Sequence, residues 1–87
     1  MAYVLDFREK AINDIDFFRR TGNENVLNKI ATLLSELEEH PLTGTGKPEK
    51  LKYQLTGLWT RRINREHRML YSLQADVVYI HSLKGHT

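Results

Sequence analysis

The sequence contains no cysteine and only two prolines among its 87 residues. Without cysteine the chain has neither disulfides nor thiolate metal ligands, so packing alone must hold the fold together. No apolar run approaches the roughly 20 residues that cross a bilayer, and the first residues lack a basic region followed by a long apolar one. We therefore expect a cytoplasmic protein that is neither secreted nor membrane-spanning.

Charge is distributed unevenly along a chain whose length predicts one domain over residues 1–87. Residues 1–43 carry five Lys or Arg and eight Asp or Glu, a net charge of −3, whereas residues 44–87 carry eight and three, a net charge of +5. Such an excess is common in proteins that bind a polyanion, although it also occurs in proteins that touch no nucleic acid. Charge alone leaves both alternatives open.

The apolar spacing predicts an α+β fold in which two helices precede most of the strands. A strand is expected at 3–7, followed by a helix at 8–20 in which apolar residues recur every three or four positions. A second amphipathic helix is expected at 26–37, capped by Asn23 or Asn25 and ended by His40-Pro41. Residues 43–49, with two glycines and a proline, are expected to form a loop.

The remaining sequence predicts a meander of antiparallel strands, and the apolar residues of the two helices are expected to pack against this sheet. The expected strands are 53–55, 58–63, 67–73 and 77–83. Each of the connections 64–66 and 74–76 has three residues, so counting outward from it predicts which residues of the two flanking strands are paired. The pairs expected from this counting are Ile63 with His67, Arg62 with Arg68, Leu73 with Val77, and Arg68 with Ser82.

This register collects basic side chains at one end of the sheet, with further cations entering from the loop. The residues expected there are Arg62, Arg68, Lys84 and His86, joined by Lys47, Glu49, Lys50 and Lys52. RNA cleavage through the ribose 2′-hydroxyl needs a base, an acid and cations around the phosphate. Glu49 and His86 are a carboxylate and an imidazole of the required kinds.

Each of these side chains also has an ordinary structural explanation. Glu49 lies among lysines, where a surface ion pair is common, and the two arginines could pair instead with Glu66 and Asp76. His86 stands near a chain end, where residues are often frayed. From the residues alone, the sequence indicates a basic α+β domain for which RNA contact and ordinary surface charge remain alternatives.

A set of spaced motifs closely resembles the YoeB/Txe toxins of bacterial toxin–antitoxin modules, which belong to the RelE superfamily. The motifs are PLTGTGKPE at 41–49, LK at 51–52, LTGLWTRRI at 55–63, EHRMLY at 66–71 and GH at 85–86. The resemblance implies a RelE-like, microbial RNase-like fold in which two N-terminal helices pack on a twisted antiparallel sheet. It also implies cleavage of messenger RNA in the ribosomal A site, which inhibits translation. It implies no metal or cofactor, and products with a 2′,3′-cyclic phosphate and a 5′-hydroxyl.

The resemblance also implies roles and partners. Glu49 is similar to the family's general base, His86 to its general acid, and Arg68 to the residue that holds the scissile phosphate. The substrate-binding residues that it implies are Lys52, Arg62, Lys47, Lys50 and Thr87. The implied partners are the 70S ribosome with its messenger RNA, a YefM/Axe/Phd-like antitoxin with a flexible acidic segment, and a second copy of the toxin.

The end of the sequence departs from the family pattern. Members usually end in His-Tyr, with the tyrosine contributing at the active site, whereas this chain ends in His86-Thr87. The alternative to an active nuclease is therefore a catalytically weak or inactive RelE-superfamily protein that binds and blocks the ribosome or another partner.

Overall fold

The computed structural model describes residues 2–52 and 56–85, and in these ranges it contains two helices and five strands. The elements are β1 (Val4–Phe7), α1 (Glu9–Arg20), α2 (Glu24–Leu37), β2 (Glu49–Lys50), β3 (Leu58–Arg62), β4 (Arg68–Gln74) and β5 (Val77–Ser82). The predicted helices and the strands at 3–7, 58–63, 67–73 and 77–83 are confirmed with small shifts at their ends. The strand predicted at 53–55 lies outside the described residues. Neither helix in the described part of the chain is long and apolar enough to cross a membrane.

Local signals in the sequence fix the helix ends. The last turn of α1 carries Arg19 and Arg20, which interact favourably with the negative end of the helix dipole. At the start of α2, the side chain of Asn23 accepts a hydrogen bond from the backbone N–H of Val26. Asn23, rather than Asn25, is therefore the N-cap.

The strands form one five-stranded sheet in the order β1-β5-β4-β3-β2. Three of the four neighbouring pairs are antiparallel, as expected, but β1 runs parallel to β5. The sheet is therefore mixed rather than purely antiparallel. No tight turn joins these two strands, because both helices and the rest of the sheet lie between them in sequence, so β1 is not constrained to run antiparallel.

The register between β3 and β4 agrees with the prediction. Arg62 lies opposite Arg68, and the backbone N–H of Ile63 donates to the carbonyl of His67 at 3.0 Å. The connection of residues 64–66 is closed by the side chain of Asn64, which accepts from two backbone N–H groups of the turn.

The register between β4 and β5 differs from the predicted one. Two predicted pairs are wrong: Leu73 with Val77, and Arg68 with Ser82. The turn contains two residues rather than three, because Ala75 adopts a positive φ of 55° and Gln74 pairs with Val77. A bulge next to Leu70 then shifts the pairing by one further residue, so that Leu70 lies opposite Ser82.

Both helices cover the same face of the sheet, and the core lies between them. The fully buried residues include Ala11, Phe18, Leu33 and Leu37 from the helices and Met69, Tyr71, Val78 and Ile80 from the strands. Because successive side chains in a strand point to opposite faces, the alternate positions of β2, β3 and β4 face away from the helices. We call this side of the sheet the open face; the residues at its positions are Glu49, Leu58, Thr60, Arg62, Arg68, Leu70, Ser72 and Gln74, of which Thr60 is buried.

Candidate active site

The centre of the open face is the cross-strand pair of Arg62 and Arg68. The N–H of Arg62 points outward to the carbonyl of Gly46 at 2.6 Å, and the N–H of Arg68 points outward to the carbonyl of Gly85 at 2.9 Å. The two residues therefore form no backbone hydrogen bond with each other. In such a non-hydrogen-bonded antiparallel pair the Cα atoms lie about 4.5 Å apart, closer than in a hydrogen-bonded pair. The fold therefore places two arginines next to each other on the same face of the sheet.

The alternative explanation for Arg62, an ion pair with Glu66 or Asp76, is not what the structure contains. Arg62 is exposed, and within residues 2–52 and 56–85 no carboxylate lies at ion-pair distance from its guanidinium group. Like charges opposite each other destabilise a sheet by a few tenths of a kcal/mol or more, roughly.

The loop before β2 reaches the arginine pair from the β3 side. Gly46 has a positive φ of 83°, and a Cβ atom built on it would lie 2.9 Å from the carbonyl oxygen of Arg62. Only glycine allows the loop to approach β3 this closely. Lys47 follows, exposed and with a positive φ of 51°, so the loop presents one of the predicted cations at this edge of the pair.

Glu49 lies on the open face at the edge strand. It is exposed and stands opposite Thr60, two positions along β3 from Arg62. Lys50 pairs with Trp59 and therefore emerges on the other side of β2 from Glu49. Lys52, which is exposed, follows the strand. The structure thus brings the predicted base onto the same face as the arginine pair, but it places Lys50 on the opposite side of its strand.

The segment after β5 reaches the pair from the β4 side. Gly85 accepts from the N–H of Arg68, and its own N–H donates to Nδ1 of His67 at 3.0 Å. The ammonium group of Lys84 lies 4.7 Å from the centre of the Phe17 ring, so this predicted cation is turned toward α1 instead of toward the arginines. His86 and Thr87, the predicted acid and its neighbour, lie outside the described residues.

Directly behind the open face, Arg61 organises the loop from within the core. Its side chain has no exposed surface, and it forms an ion pair with Glu36 at 3.1 Å. It also donates to the backbone carbonyls of His40, Thr43 and Thr45. A buried guanidinium is tolerated only where its charge is paired and its N–H groups are hydrogen-bonded. Here Glu36 pairs the charge, and backbone carbonyls of the loop accept the hydrogen bonds.

Tyr71 and Glu36 complete this buried network. The hydroxyl of Tyr71 accepts from Nε of Arg61 at 3.2 Å and donates to the carbonyl of Pro41 at 2.7 Å. Burial raises the pKa of Tyr71, which keeps its hydroxyl protonated as a donor. Hydrogen bonds from the side chain and backbone of Thr45, with the charge of Arg61, hold the pKa of Glu36 below its ordinary value.

Sequence reasoning missed the role of Arg61, although a signal was present. Side chains along β3 and the residue after it point alternately to the two faces of the sheet. Arg61 points to the same face as Trp59 and Ile63, which are apolar and face the helices. A charged residue in the apolar phase of a strand indicates a buried ion pair or hydrogen-bond network.

The other histidines are not gathered at the arginine pair. His81 shares a 2.8 Å hydrogen bond with Ser72, and burial, with the nearby charge of Arg8, lowers its pKa. His40 lies after α2, with its backbone carbonyl bound to Arg61. Among the described residues, no group of three or more His, Asp or Glu side chains is arranged to hold a metal ion.

The architecture matches solved structures of bacterial toxins over the full chain. The YoeB dimer from Staphylococcus aureus superposes with a TM-score of 0.87 at 36% identity, with 100% of both chains covered. A chain of the YoeB–YefM complex from Staphylococcus aureus gives a TM-score of 0.85 at 38% identity, again with 100% of both chains covered. The two helices on a five-stranded sheet are therefore the fold of the RelE-like toxins, as predicted.

The sequence comparisons identify the family within that class. Toxin YoeB of Escherichia coli (strain K12) is 34% identical over 82 residues, which cover 94% of this chain and 96% of that protein. The model of the family described as "YoeB-like toxin of bacterial type II toxin-antitoxin system" matches residues 7–87. This chain belongs to the YoeB-like toxins of bacterial type II toxin–antitoxin systems.

Proposed function

We propose that this toxin is a ribosome-dependent endoribonuclease that cuts messenger RNA in the ribosomal A site and thereby inhibits translation. The observation that carries the proposal is the Arg62–Arg68 pair on the open face. Two arginines paired on the same face of neighbouring strands favour a phosphodiester, because guanidinium groups neutralise its charge and donate hydrogen bonds to its oxygens. The exposed carboxylate of Glu49 on the same face supports a base beside that phosphate.

In the proposed reaction, Glu49 takes the proton of the ribose 2′-hydroxyl, and the 2′-oxygen attacks the adjacent phosphorus. The bond between phosphorus and the 5′-oxygen breaks, and His86 gives a proton to the departing 5′-oxygen. Arg68 stabilises the charge that grows on the phosphate oxygens. The products are a 2′,3′-cyclic phosphate and a 5′-hydroxyl, and the protein side chains supply every proton transfer.

The remaining basic residues extend the RNA-binding surface. Arg62 supports Arg68 directly, while Lys47 and Lys52 contact the backbone of the messenger from the loop side. Lys50 emerges on the far side of β2, so we assign it the weakest contribution of the three lysines. Thr87 contacts the substrate next to His86. Because phosphate contacts release counterions, binding through this surface weakens steeply as salt rises.

The partners follow from the same surface and from the relatives. The ribosome holds the messenger in a conformation aligned for attack, and positioning of this kind can lower a reaction barrier by about 7 kcal/mol or more. Cleavage therefore requires the ribosome. The staphylococcal relative is found in a complex with YefM and as a dimer. We propose that this chain, acting as a single toxin domain over residues 1–87 in the cytoplasm, is likewise neutralised by a YefM-like antitoxin and forms dimers.

The test is to incubate the protein with programmed ribosomes and to map any cut and its chemical ends. We expect a cut in the A-site codon that leaves a 2′,3′-cyclic phosphate. Glu49→Gln, which cannot take a proton, should cut at least about 100-fold more slowly. The matched control is Glu66→Gln, an exposed glutamate in the β3–β4 turn, which should cut at the parental rate. Efficient cutting by Glu49→Gln would refute its role as the base.

A second candidate function, ribosome blocking without efficient cutting, is favoured by Thr87 in place of the usual terminal tyrosine. Loss of a base-stacking aromatic ring costs about 1–3 kcal/mol. If that contact is stronger in the transition state, Thr87→Tyr should raise single-turnover cleavage by at least about tenfold without changing ribosome affinity. A Thr87→Phe variant separates stacking from the hydroxyl. If neither variant cuts faster than the parent, the blocking function gains support.

A further inference from the structure

A buried carboxylate on α1 binds the segment that leads to the predicted acid. Asp14 is only 6% exposed and lies on the helix stripe that also carries Ala11 and Phe18. Its Oδ2 atom accepts hydrogen bonds from the backbone N–H groups of Leu83 at 2.9 Å and of Lys84 at 3.0 Å. These contacts join residues 69 and 70 positions apart in sequence, so they tie the chain end to the first helix.

Lys10 completes the anchor one helical turn before Asp14. Its ammonium group donates to Oδ2 of Asp14 at 2.8 Å and to the carbonyl of Lys84 at 3.1 Å. It also donates to the hydroxyl of Ser82 at 3.1 Å. Burial acts to raise the pKa of Asp14, but the hydrogen bonds from Lys10, Leu83 and Lys84 outweigh it and hold that pKa below its ordinary value.

The same segment is held from the β4 side. The N–H of Gly85 donates to the ring of His67, and its carbonyl accepts from the N–H of Arg68. The ring of His67 is in turn fixed by an edge contact with Phe18, at 5.1 Å between ring centres. The backbone N–H groups of Leu83, Lys84 and Gly85 are therefore all bonded to groups outside the segment, and so are the carbonyls of Lys84 and Gly85.

A buried carboxylate is costly unless its partners compensate for lost hydration. An anchor of this kind on residues 83–85 therefore calls for a function that needs this segment in one place. We propose that Asp14 is a positioning residue that fixes the backbone before His86 relative to Arg68 and so aligns the proton donor in the cleavage reaction. This inference rests on the proposed function.

The first experiment compares Asp14→Ala with Asp16→Ala in single-turnover cleavage on programmed ribosomes. Asp16 is the matched control, because it lies on the same helix and forms an exposed ion pair with Arg20. A small misplacement of a reacting group can cost about 100-fold in rate, so Asp14→Ala should cut about 10- to 100-fold more slowly with unchanged ribosome affinity. Asp16→Ala should match the parent. Asp14→Asn, which keeps an oxygen acceptor for the two backbone N–H groups, should recover part of the rate and serves if the alanine variant does not fold.

The second experiment distinguishes positioning from a general loss of stability. If Asp14 acts through His86, adding Asp14→Ala to His86→Gln should slow cleavage no further than His86→Gln alone. A merely structural role would make the two effects multiply. Amide hydrogen exchange supplies a readout that does not depend on activity: exchange at Leu83 and Lys84 should accelerate in Asp14→Ala and stay slow in Asp16→Ala.

The outcomes separate this inference from the proposed function. Cleavage by the parent together with parental rates for Asp14→Ala and Asp14→Asn would overturn the positioning role alone. Multiplying effects in the double variant, or unchanged exchange at Leu83 and Lys84, would also overturn it. No cleavage by the parent or by Thr87→Tyr would overturn the proposed function, and the positioning role with it.

Discussion

Arg61 and Arg62 are neighbours in the sequence, yet they lie on opposite faces of the sheet and have opposite surroundings. Arg61 is completely buried and is bonded to a carboxylate, a phenol and three backbone carbonyls. Arg62 is exposed beside Arg68, and its guanidinium forms no ion pair within the described part of the chain. Strand alternation alone separates the two. The comparison teaches that the face covered by the helices holds the fold together, while the open face leaves Arg62 exposed to solvent.

The largest effect on stability should come from exchanging the two arginines for methionine, one at a time. Arg61→Met leaves Glu36 and several loop carbonyls without their partner, so we expect a loss of about 3–5 kcal/mol in the free energy of unfolding. Arg62→Met should change it by no more than about 0.5 kcal/mol, because the side chain is exposed. Urea denaturation of both variants measures the difference. Equal losses would contradict the division between the faces.

An intermediate effect on stability is expected where Gly46 of the loop lies against β3. Gly46→Ala would place a methyl group 2.9 Å from the carbonyl oxygen of Arg62, at a φ of 83°. Gly57→Ala is the matched control, because its φ is 96° and no atom of residues 2–52 or 56–85 that could crowd the added atom lies within 4 Å of it. Both variants carry backbone strain, but Gly46→Ala should lose about 1–3 kcal/mol more from overpacking. Thermal unfolding followed by circular dichroism would detect it, and equal losses would show that the loop tolerates the contact.

The smallest expected effect is on how the free energy of unfolding changes at acid pH, to which two carboxylates of the helices contribute. Asp14 and Glu36 have folded pKa values below their ordinary ones. Their stabilisation is therefore complete above the ordinary carboxyl pKa of about 4 and is lost as pH falls through the lowered folded values. Asp14→Ala and Glu36→Gln should be less stable than the parent at neutral pH but should lose less stability on acidification. Denaturation curves at several pH values test this, and parallel pH profiles would contradict it.

Much of this comparison could be predicted from the sequence, because the informative signals are local. The polar connection at 64–66 fixed the pairing of Arg62 with Arg68 by counting alone. The same counting gave the wrong register at the connection after β4. Nothing in the sequence indicates that Ala75 adopts a positive φ and forms a two-residue turn. The bulge beside Leu70 likewise leaves no local pattern, since it depends on how β4 and β5 meet over the core.

The supporting residues behind the site were harder to predict. Asp14 stands on the apolar stripe of α1, three residues after Ala11 and four before Phe18, which is a sign that a carboxylate will be buried. Its partners at residues 83 and 84, however, are backbone groups far along the chain. Backbone donors carry no sequence signature, so only the fold could identify the contact.

The central claim is that the arginine pair on the open face binds and stabilises the phosphate that is cut. The most direct measurement is the single-turnover rate of A-site cleavage by Arg68→Ala, beside Arg19→Ala as a control for lost charge on the exposed surface of α1. We predict that Arg68→Ala still folds but cuts about 100- to 1000-fold more slowly, and that Arg19→Ala cuts at the parental rate. Cleavage by Arg68→Ala at the parental rate would contradict the account.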